Sequence, residues 1–191
     1  NFCGIEQAIS TDYQATAEIL DNYYEVFEDQ IYHHFQWNYC VENNPEHGDN
    51  WNEEDFSVID EQGNPRGEEA FVRTVLRTAS GKPISMHFYG PLHEWEPDKG
   101  IPNHELEYHL VMEPRETEAP TEIYVPELHY TNGFYVWVSD GRATFDYEQQ
   151  VLFWYPEGII GSSTHDILIQ PPYSGEDQSD FDYYFDFDGT I

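Results

Sequence analysis

Between Tyr13 and Ile31 the apolar positions recur at alternating spacings of four and three: Tyr13, Ala17, Leu20, Tyr24, Phe27 and Ile31. That period gives one apolar face of a helix. Asp, Glu and Asn fill the opposite face. Thr11 and Gln14 frame the start as a capping box, and the helix should end near His33. A short alternating run, Phe35-Gln36-Trp37-Asn38-Tyr39, then reads as a strand. Ala70, Phe71, Val75 and Leu76 give a rougher helical face and predict a second helix over 67–77. After Gly81-Lys82-Pro83 the period changes to two. Strands are predicted at 84–88, 105–112, 122–125, 134–139, 143–146, 151–155 and 166–169, separated by turn signals such as Thr131-Asn132-Gly133 and Ser139-Asp140-Gly141. In the second run Leu106, Tyr108, Leu110 and Met112 share a face. Short alternating strands at this spacing predict an antiparallel β-sandwich. In the tail, Phe181, Tyr183, Phe185 and Phe187 alternate with Asp182, Tyr184, Asp186 and Asp188. Four aromatics on one side predict an added strand, on this sandwich's edge or on a neighbouring copy's. The chain divides into a helix-strand-loop segment (1–81), a sandwich (82–172) and an acidic aromatic tail (173–191).

Charge changes the picture of partners. The chain of 191 residues carries 38 acids against 7 bases, a formal net charge of -31. Arg66 is the first base and Arg142 the last, so both ends are free of Lys and Arg. Phosphate binding needs cations, which argues against nucleic acid and anionic lipid as partners. Such repulsion lowers the stability of the compact state unless salt, bound cations or low pH relieve it. A solubilising surface for a salty or acidic medium and a cation-binding surface are the two readings of this charge. The end of the tail echoes part of a calcium loop, so Asp182, Asp186 and Asp188 are candidate calcium ligands, without that loop's final Glu. No other cofactor is implied. The histidines lack zinc spacing. His33 and His34 fall at a helix end, where cationic imidazole suits the carbonyl dipoles. No apolar run approaches the roughly 20 residues of a transmembrane helix, and there is no N-x-Ser/Thr sequon. Cys3 and Cys40 are too few for a disulfide-built scaffold and leave one disulfide or two thiols open.

The densest chemistry lies between Phe35 and Asp60, where aromatics, amides and carboxylates crowd together. Carbohydrate sites, calcium loops and polar hairpins all use that mixture. Trp37-Asn38-Tyr39, Asn43-Asn44, Gly48-Asp49, Trp51-Asn52 and Glu54-Asp55-Phe56-Ser57 resemble the segment after the eighth barrel strand in glycoside hydrolase family five, particularly its endoglycoceramidase-like and sterylglucosidase-like branch. The resemblance continues through RGEEAFVRTVLRTASGKP, APTEIYVPELHYTNGFYVWVSDG and HDILIQPP, and covers roughly residues 1–172.

The resemblance implies a mainly β fold: an antiparallel β-sandwich preceded by a helix–strand remnant of a (β/α)8 barrel. It puts Trp37 at the floor of a sugar site and Asn38, Asp49, Trp51 and Asn52 beside it, as substrate-binding candidates. It puts Cys3 at the end of the seventh barrel strand and Cys40 just past the eighth. A disulfide between them is thereby implied, and with it an extracellular or secretory, lumenal compartment. His129 and His165 match sandwich positions, which implies a structural role. Intact members use two glutamates. Here the nucleophile position falls on Phe2, with Glu6 nearby, and the acid/base position lies ahead of the sequence, so no catalytic residue is assigned. Two readings follow. The chain is a non-catalytic structural or assembly module derived from the C-terminal part of a glycoside hydrolase, as Phe2 and the extreme charge favour. Alternatively it is the C-terminal portion of a retaining β-glycosidase acting on glycolipid-like β-glycosides, as the Trp-Asn-Tyr loop favours. The implied partners are an N-terminal barrel portion or copies of the chain itself, and carbohydrate.

Overall fold

A computed structural model describes residues 13–44, 46–51, 55–93, 104–157, 164–175 and 177–187. Helix α1 (Gln14–Asp29) begins directly after Tyr13, and Thr11 lies outside the described residues. Its predicted apolar face is real: Ala17 and Tyr24 are buried. The helix stops before His33 because Ile31 turns left-handed, at φ 53°. The Ile31 amide then donates to the Glu28 carbonyl at 2.9 Å and the Tyr32 amide to the Phe27 carbonyl at 2.8 Å. These two bonds close a Schellman-type C-cap. A β-branched residue there is unusual, since its Cβ crowds the following carbonyl.

Two antiparallel sheets follow. One has the order β1 (Val75–Thr78), β4 (Thr121–Tyr124), β7 (Val151–Tyr155), β6 (Arg142–Asp146). The other runs β2 (Lys82–Phe88), β3 (Tyr108–Glu113), β8 (His165–Gln170), β5 (Phe134–Val138), β9 (Tyr183–Phe185). Alternation decides which side chains meet between them. Tyr108, Leu110 and Met112 of β3, Phe134 and Val136 of β5, and Ile167 and Ile169 of β8 are fully buried against Ile123, Leu152 and Trp154 of the other sheet. Pro83 sits on β2, an edge strand, where its missing N–H costs no ladder bond.

Three expectations change. The second helix shrinks to α2 (Glu68–Phe71), and Val75 and Leu76 belong to β1, paired with Tyr124 and Ile123. The apolar residues there also fit a strand, and pairing with β4 decides between the two. The sandwich therefore takes in residues before 82. The run Phe35–Tyr39 forms no strand, since a barrel strand without its neighbours has no ladder to join. The tail does form a strand, and its place is settled: β9 pairs with β5 of its own chain, Tyr184 opposite Tyr135. Phe185 and Phe187 close that end of the sandwich, their rings 5.4 and 5.9 Å from Phe134 and 5.6 and 5.4 Å from Phe145.

At the other end of this sheet lies α1, locked by a buried ion cluster. Asp21 and Glu28 are seven residues apart and so share a face of the helix. Arg73, just ahead of β1, reaches between them and is 5% exposed. Its Nε donates to Glu28 Oε1 at 2.6 Å, its Nη2 to Glu28 Oε2 at 3.0 Å and to the Phe88 carbonyl at 2.8 Å. Its Nη1 pairs with Asp21. Glu28 Oε2 also accepts the Phe88 amide at 3.1 Å. One arginine thus ties helix, β1 and β2 together. Gly90 leaves room for it: a Cβ there would stand 2.6 Å from Asp21 Oδ1 and 3.0 Å from Arg73 Nη1.

Burial pushes both the Asp21 and Glu28 carboxyls above their usual range, against the opposing pull of Arg73. An acid whose pKa is raised by folding adds stability that is complete below its unfolded value and is lost as pH rises through the folded one. Asp140 works the other way. Burial alone would raise it, but hydrogen bonds from His165, the Glu157 amide and Ser139 hold it below the usual range. Its contribution is lost only at the acid end.

Replacing Arg73 by Met leaves two buried carboxylates without their cation. This should cost about 3–5 kcal/mol in chemical denaturation, the usual penalty for breaking a buried pair from one side; a loss below about 1 kcal/mol would mean that the cluster does not hold the helix. Deleting residues 176–191 should lower the melting temperature, because Phe134 and Phe145 lose their cover. The melting temperature should also rise as pH falls from neutral towards about 5, above the ordinary carboxylate values near 4. It should rise again in 1 M KCl, where the screening length shrinks from about 10 Å at 0.1 M to about 3 Å. Differential scanning calorimetry across both series checks the signs.

Candidate functional site

The segment after α1 crosses the open side of the helix without sheet partners, yet it is firmly placed. Asn38 exchanges backbone bonds with the other arm of the loop: its amide donates to the Phe56 carbonyl at 3.0 Å, and its carbonyl accepts the Val58 amide at 2.9 Å. The Ser57 hydroxyl donates to the Cys40 carbonyl at 3.0 Å and accepts the Cys40 amide at 3.2 Å. Behind the loop, Arg66 and Asp55 form a second buried ion pair at 2.7 Å. Arg66 also donates to Asn43 Oδ1 at 2.9 Å and lies over the Tyr13 ring at 4.9 Å from its centre. The loop is therefore anchored to the start of α1.

Asp49 organises the turn. Its Oδ2 accepts Asn38 Nδ2 at 2.9 Å and the Phe56 amide at 3.4 Å, and its Oδ1 accepts the Trp51 amide at 3.1 Å. It is buried, 8% exposed. Asn44 Oδ1 takes the Glu46 and His47 amides at 2.9 and 3.1 Å. Of the residues expected to meet sugar, Asn38 and Asp49 are thus spent on each other and on the loop. Trp37 and Trp51 are left open, each 60% exposed, with ring centres 6.5 Å apart and 61° between their planes. A pair of tilted, fixed indoles can stack on the apolar face of a pyranose ring. The Trp37–Asn38 peptide is cis. Asn52 lies outside the described residues, as do Phe2 and Glu6.

The exposure does not stop at the tryptophans. Phe35 is 98% exposed, and Tyr39, Tyr32, Val41 and Tyr23 are all exposed. Beside them an open groove of about 710 Å³ runs along α1, lined by Leu20, Tyr23, Phe27, Tyr32, Phe35 and Trp37. A patch this continuous is uncommon on a free surface and marks a contact site.

Other expected sites resolve differently. His34 does not meet the helix end as a cation: it stacks on Phe27 at 5.4 Å and on the edge of Tyr24 at 4.7 Å. Burial, reinforced by Arg73 and His33, pushes it below its usual value. The Cys40 Sγ lies 4.0 Å from the Asp49 carbonyl, and Cys3, its implied disulfide partner, lies outside the described residues. Asp182 accepts the Val138 amide at 2.9 Å, a structural role at the β5–β9 seam. Asp188 lies outside the described residues, among which no group of three His, Cys, Asp or Glu is placed to hold a metal. No helix of the described residues is long and apolar enough to cross a membrane. The residues that sequence reasoning missed are Arg66 and Arg73. Their signal was scarcity, since in a chain with 7 bases an arginine within an acidic segment is a candidate pin.

Asp49→Ala should unfix both arms of the loop at once. Three donors lose their acceptor, which at about 1 kcal/mol each predicts a loss of about 2–3 kcal/mol. Near-ultraviolet circular dichroism should lose the signal of the Trp37–Trp51 pair in the same variant, and an unchanged spectrum would contradict the anchoring role.

Comparison with known proteins agrees with this architecture. No curated protein matches the chain. Among solved structures, sterylglucosidase 1 of Cryptococcus neoformans superposes with a TM-score of 0.70 at 22% identity, over 86% of this chain and 25% of that one. Endo-glycoceramidase II from Rhodococcus sp., solved as its lactosyl-enzyme intermediate, gives a TM-score of 0.58 at 15% identity, over 84% of this chain and 31% of that one. The chain thus spans between a quarter and a third of the length of these structures, and at such identities the likeness is one of fold. The profile of the glycoside hydrolase family 5 C-terminal domain matches residues 73–169, more than half of the chain. With its two-sheet sandwich and the helix pinned to it, the chain belongs to the glycoside hydrolase family 5 C-terminal domain family.

Proposed function

We propose that this chain is a non-catalytic module that completes a β-glycosidase: the sandwich holds α1 and the Trp37 loop in place, and a barrel portion docked against them supplies the catalytic carboxylates. The observation that carries this reading is the continuous exposed aromatic face from Tyr23 through Phe35 to Trp51. Leaving that much apolar surface in water is unfavourable, by roughly 25 cal/mol per Å². A barrel packed on it would remove the cost. Retaining hydrolysis needs two carboxyls about 5–5.5 Å apart across the scissile bond, and the buried acids described here are committed to Arg66, Arg73 and the loop backbone. The similar structures are a sterylglucosidase and an endo-glycoceramidase, which suggests a β-glycoside of a lipid as the substrate class. A disulfide between Cys3 and Cys40, with a secretory or extracellular setting, remains part of the proposal, and thiol counting on the denatured, unreduced chain tests it.

The purified chain should hydrolyse neither aryl β-glucosides nor glucosylceramide. The native particle should contain a barrel portion, on the same polypeptide or on another, and should hydrolyse them, with Trp37→Ala lowering its turnover at least about tenfold, or 1.4 kcal/mol. Turnover by the chain alone would sink the reading. A native particle made of copies of this chain, inactive on both substrates, would replace it with an assembly role for the same aromatic face.

A further inference from the structure

A second cleft lies at the far end of the sandwich from the Trp37 loop, and its chemistry is unlike the aromatic groove. It has a volume of about 340 Å³ and is lined by Ser80, Arg115, Glu116, Thr117, Glu157 and His165. His165, at the start of β8, is 4% exposed. Its Nδ1 bonds Asp140 Oδ2 at 2.6 Å. Asp140 is itself fixed from three sides: the Ser139 hydroxyl donates to it at 3.0 Å, the Glu157 amide at 2.7 Å, and the Trp154 indole N–H meets its carbonyl at 2.9 Å. Asp140 therefore accepts the Nδ1 proton of the imidazole, and Nε2 is left for a partner from the cleft. Among the described residues nothing bonds that Nε2. The imidazole is thus held in place by one nitrogen while the other stands on the cleft wall, where a ligand can reach it.

The other groups add a mixed set. The Ser80 amide donates to Thr121 Oγ1 at 3.1 Å, and the two hydroxyls lie 2.7 Å apart. Thr121 gives its proton to the Met112 sulfur at 3.7 Å. Ser80 is then the donor of the pair, and its oxygen keeps acceptor capacity. Arg115 is exposed and makes no ion pair among the described residues, although the chain holds 38 acids. A phosphate or carboxylate ligand would meet the Glu116 and Glu157 carboxylates. An amine would meet the guanidinium. A hydroxyl group donates to a carboxylate or imidazole and accepts from a guanidinium at once. The volume lies at the small end of ligand pockets, roughly 300–1,000 Å³.

We infer that this cleft is a second binding site, for a small neutral saccharide, held by His165 Nε2, Ser80 and Arg115. The inference is independent of whether a barrel docks on the aromatic face. The test follows the imidazole proton resonances of the full chain by NMR during titration with cellobiose, glucuronate and inorganic phosphate. His165→Asn keeps an amide donor for Asp140 and removes Nε2, so it identifies the His165 resonance and should abolish binding with the fold intact. Cellobiose should shift that resonance saturably. Arg115→Ala, an exposed change that spares the core, should raise the midpoint about tenfold, the effect of losing about 1.4 kcal/mol of contact. Trp37→Ala should leave the midpoint unchanged. Absence of a His165 shift with cellobiose, an unchanged midpoint in Arg115→Ala, or a response to phosphate or glucuronate in place of cellobiose would each overturn the assignment.

Discussion

Two buried arginines decide the shape of this molecule. A chain with 38 acids and 7 bases has every reason to spread its cations over the surface, yet Arg66 and Arg73 are buried between carboxylates. Buried pairs add little net stability compared with apolar residues of the same size, but a mispaired one is severely penalised. Their effect is positional. Arg73 allows one placement of α1 on β2, where Asp21, Glu28 and the Phe88 backbone are all satisfied. Arg66 then allows one placement of the loop on α1. The exposed aromatic face inherits its order from these two contacts, because no sheet ladder fixes it.

The sandwich was legible wherever one face was buried and the other wet. In β3 the buried residues Tyr108, Leu110 and Met112 alternate with His109 and Val111, and the period of two is visible in the letters. The strand β7 was found at its observed bounds as a short, continuous apolar run, Val151–Tyr155. β1 was lost because its burial is partial and graded, so Val75 and Leu76 also fit the helix begun by Ala70 and Phe71. The run Phe35–Tyr39 had a strand's letters and lacked a partner, and a strand is a property of two segments. The tail could be read as a strand from its aromatics. Its choice of β5 depended on Phe134 and Phe145, which sequence spacing does not place beside Phe185.

The proposed sugar site was legible in part. The family resemblance brought Trp37, Asn38, Asp49 and Trp51 to one loop, and the fold keeps them together. The division of labour among them was not readable, because it depends on burial. Asp49 is enclosed and serves the loop; the two indoles remain available. The proposed stacking surface suits a molecule of this charge, since it would hold a sugar without adding further ionised groups to a crowded field.

The placement of β9 bears on how such an acidic sandwich protects the edges of its sheets. Open sheets carry unpaired N–H and C=O groups at their rims, which template the joining of further chains. Here one sheet ends at Pro83 on β2 and at the three-residue β9, where Asp182 spends its carboxylate on the Val138 amide. Gly133 lets this closing strand come close: a Cβ there would stand 2.5 Å from the Phe185 carbonyl. A neighbour that approached this rim would find a proline at one side and a short acidic segment at the other. Growth by strand exchange is thereby discouraged at both rims of this sheet, and the aromatic side chains around α1 are left as the exposed apolar surface of the module.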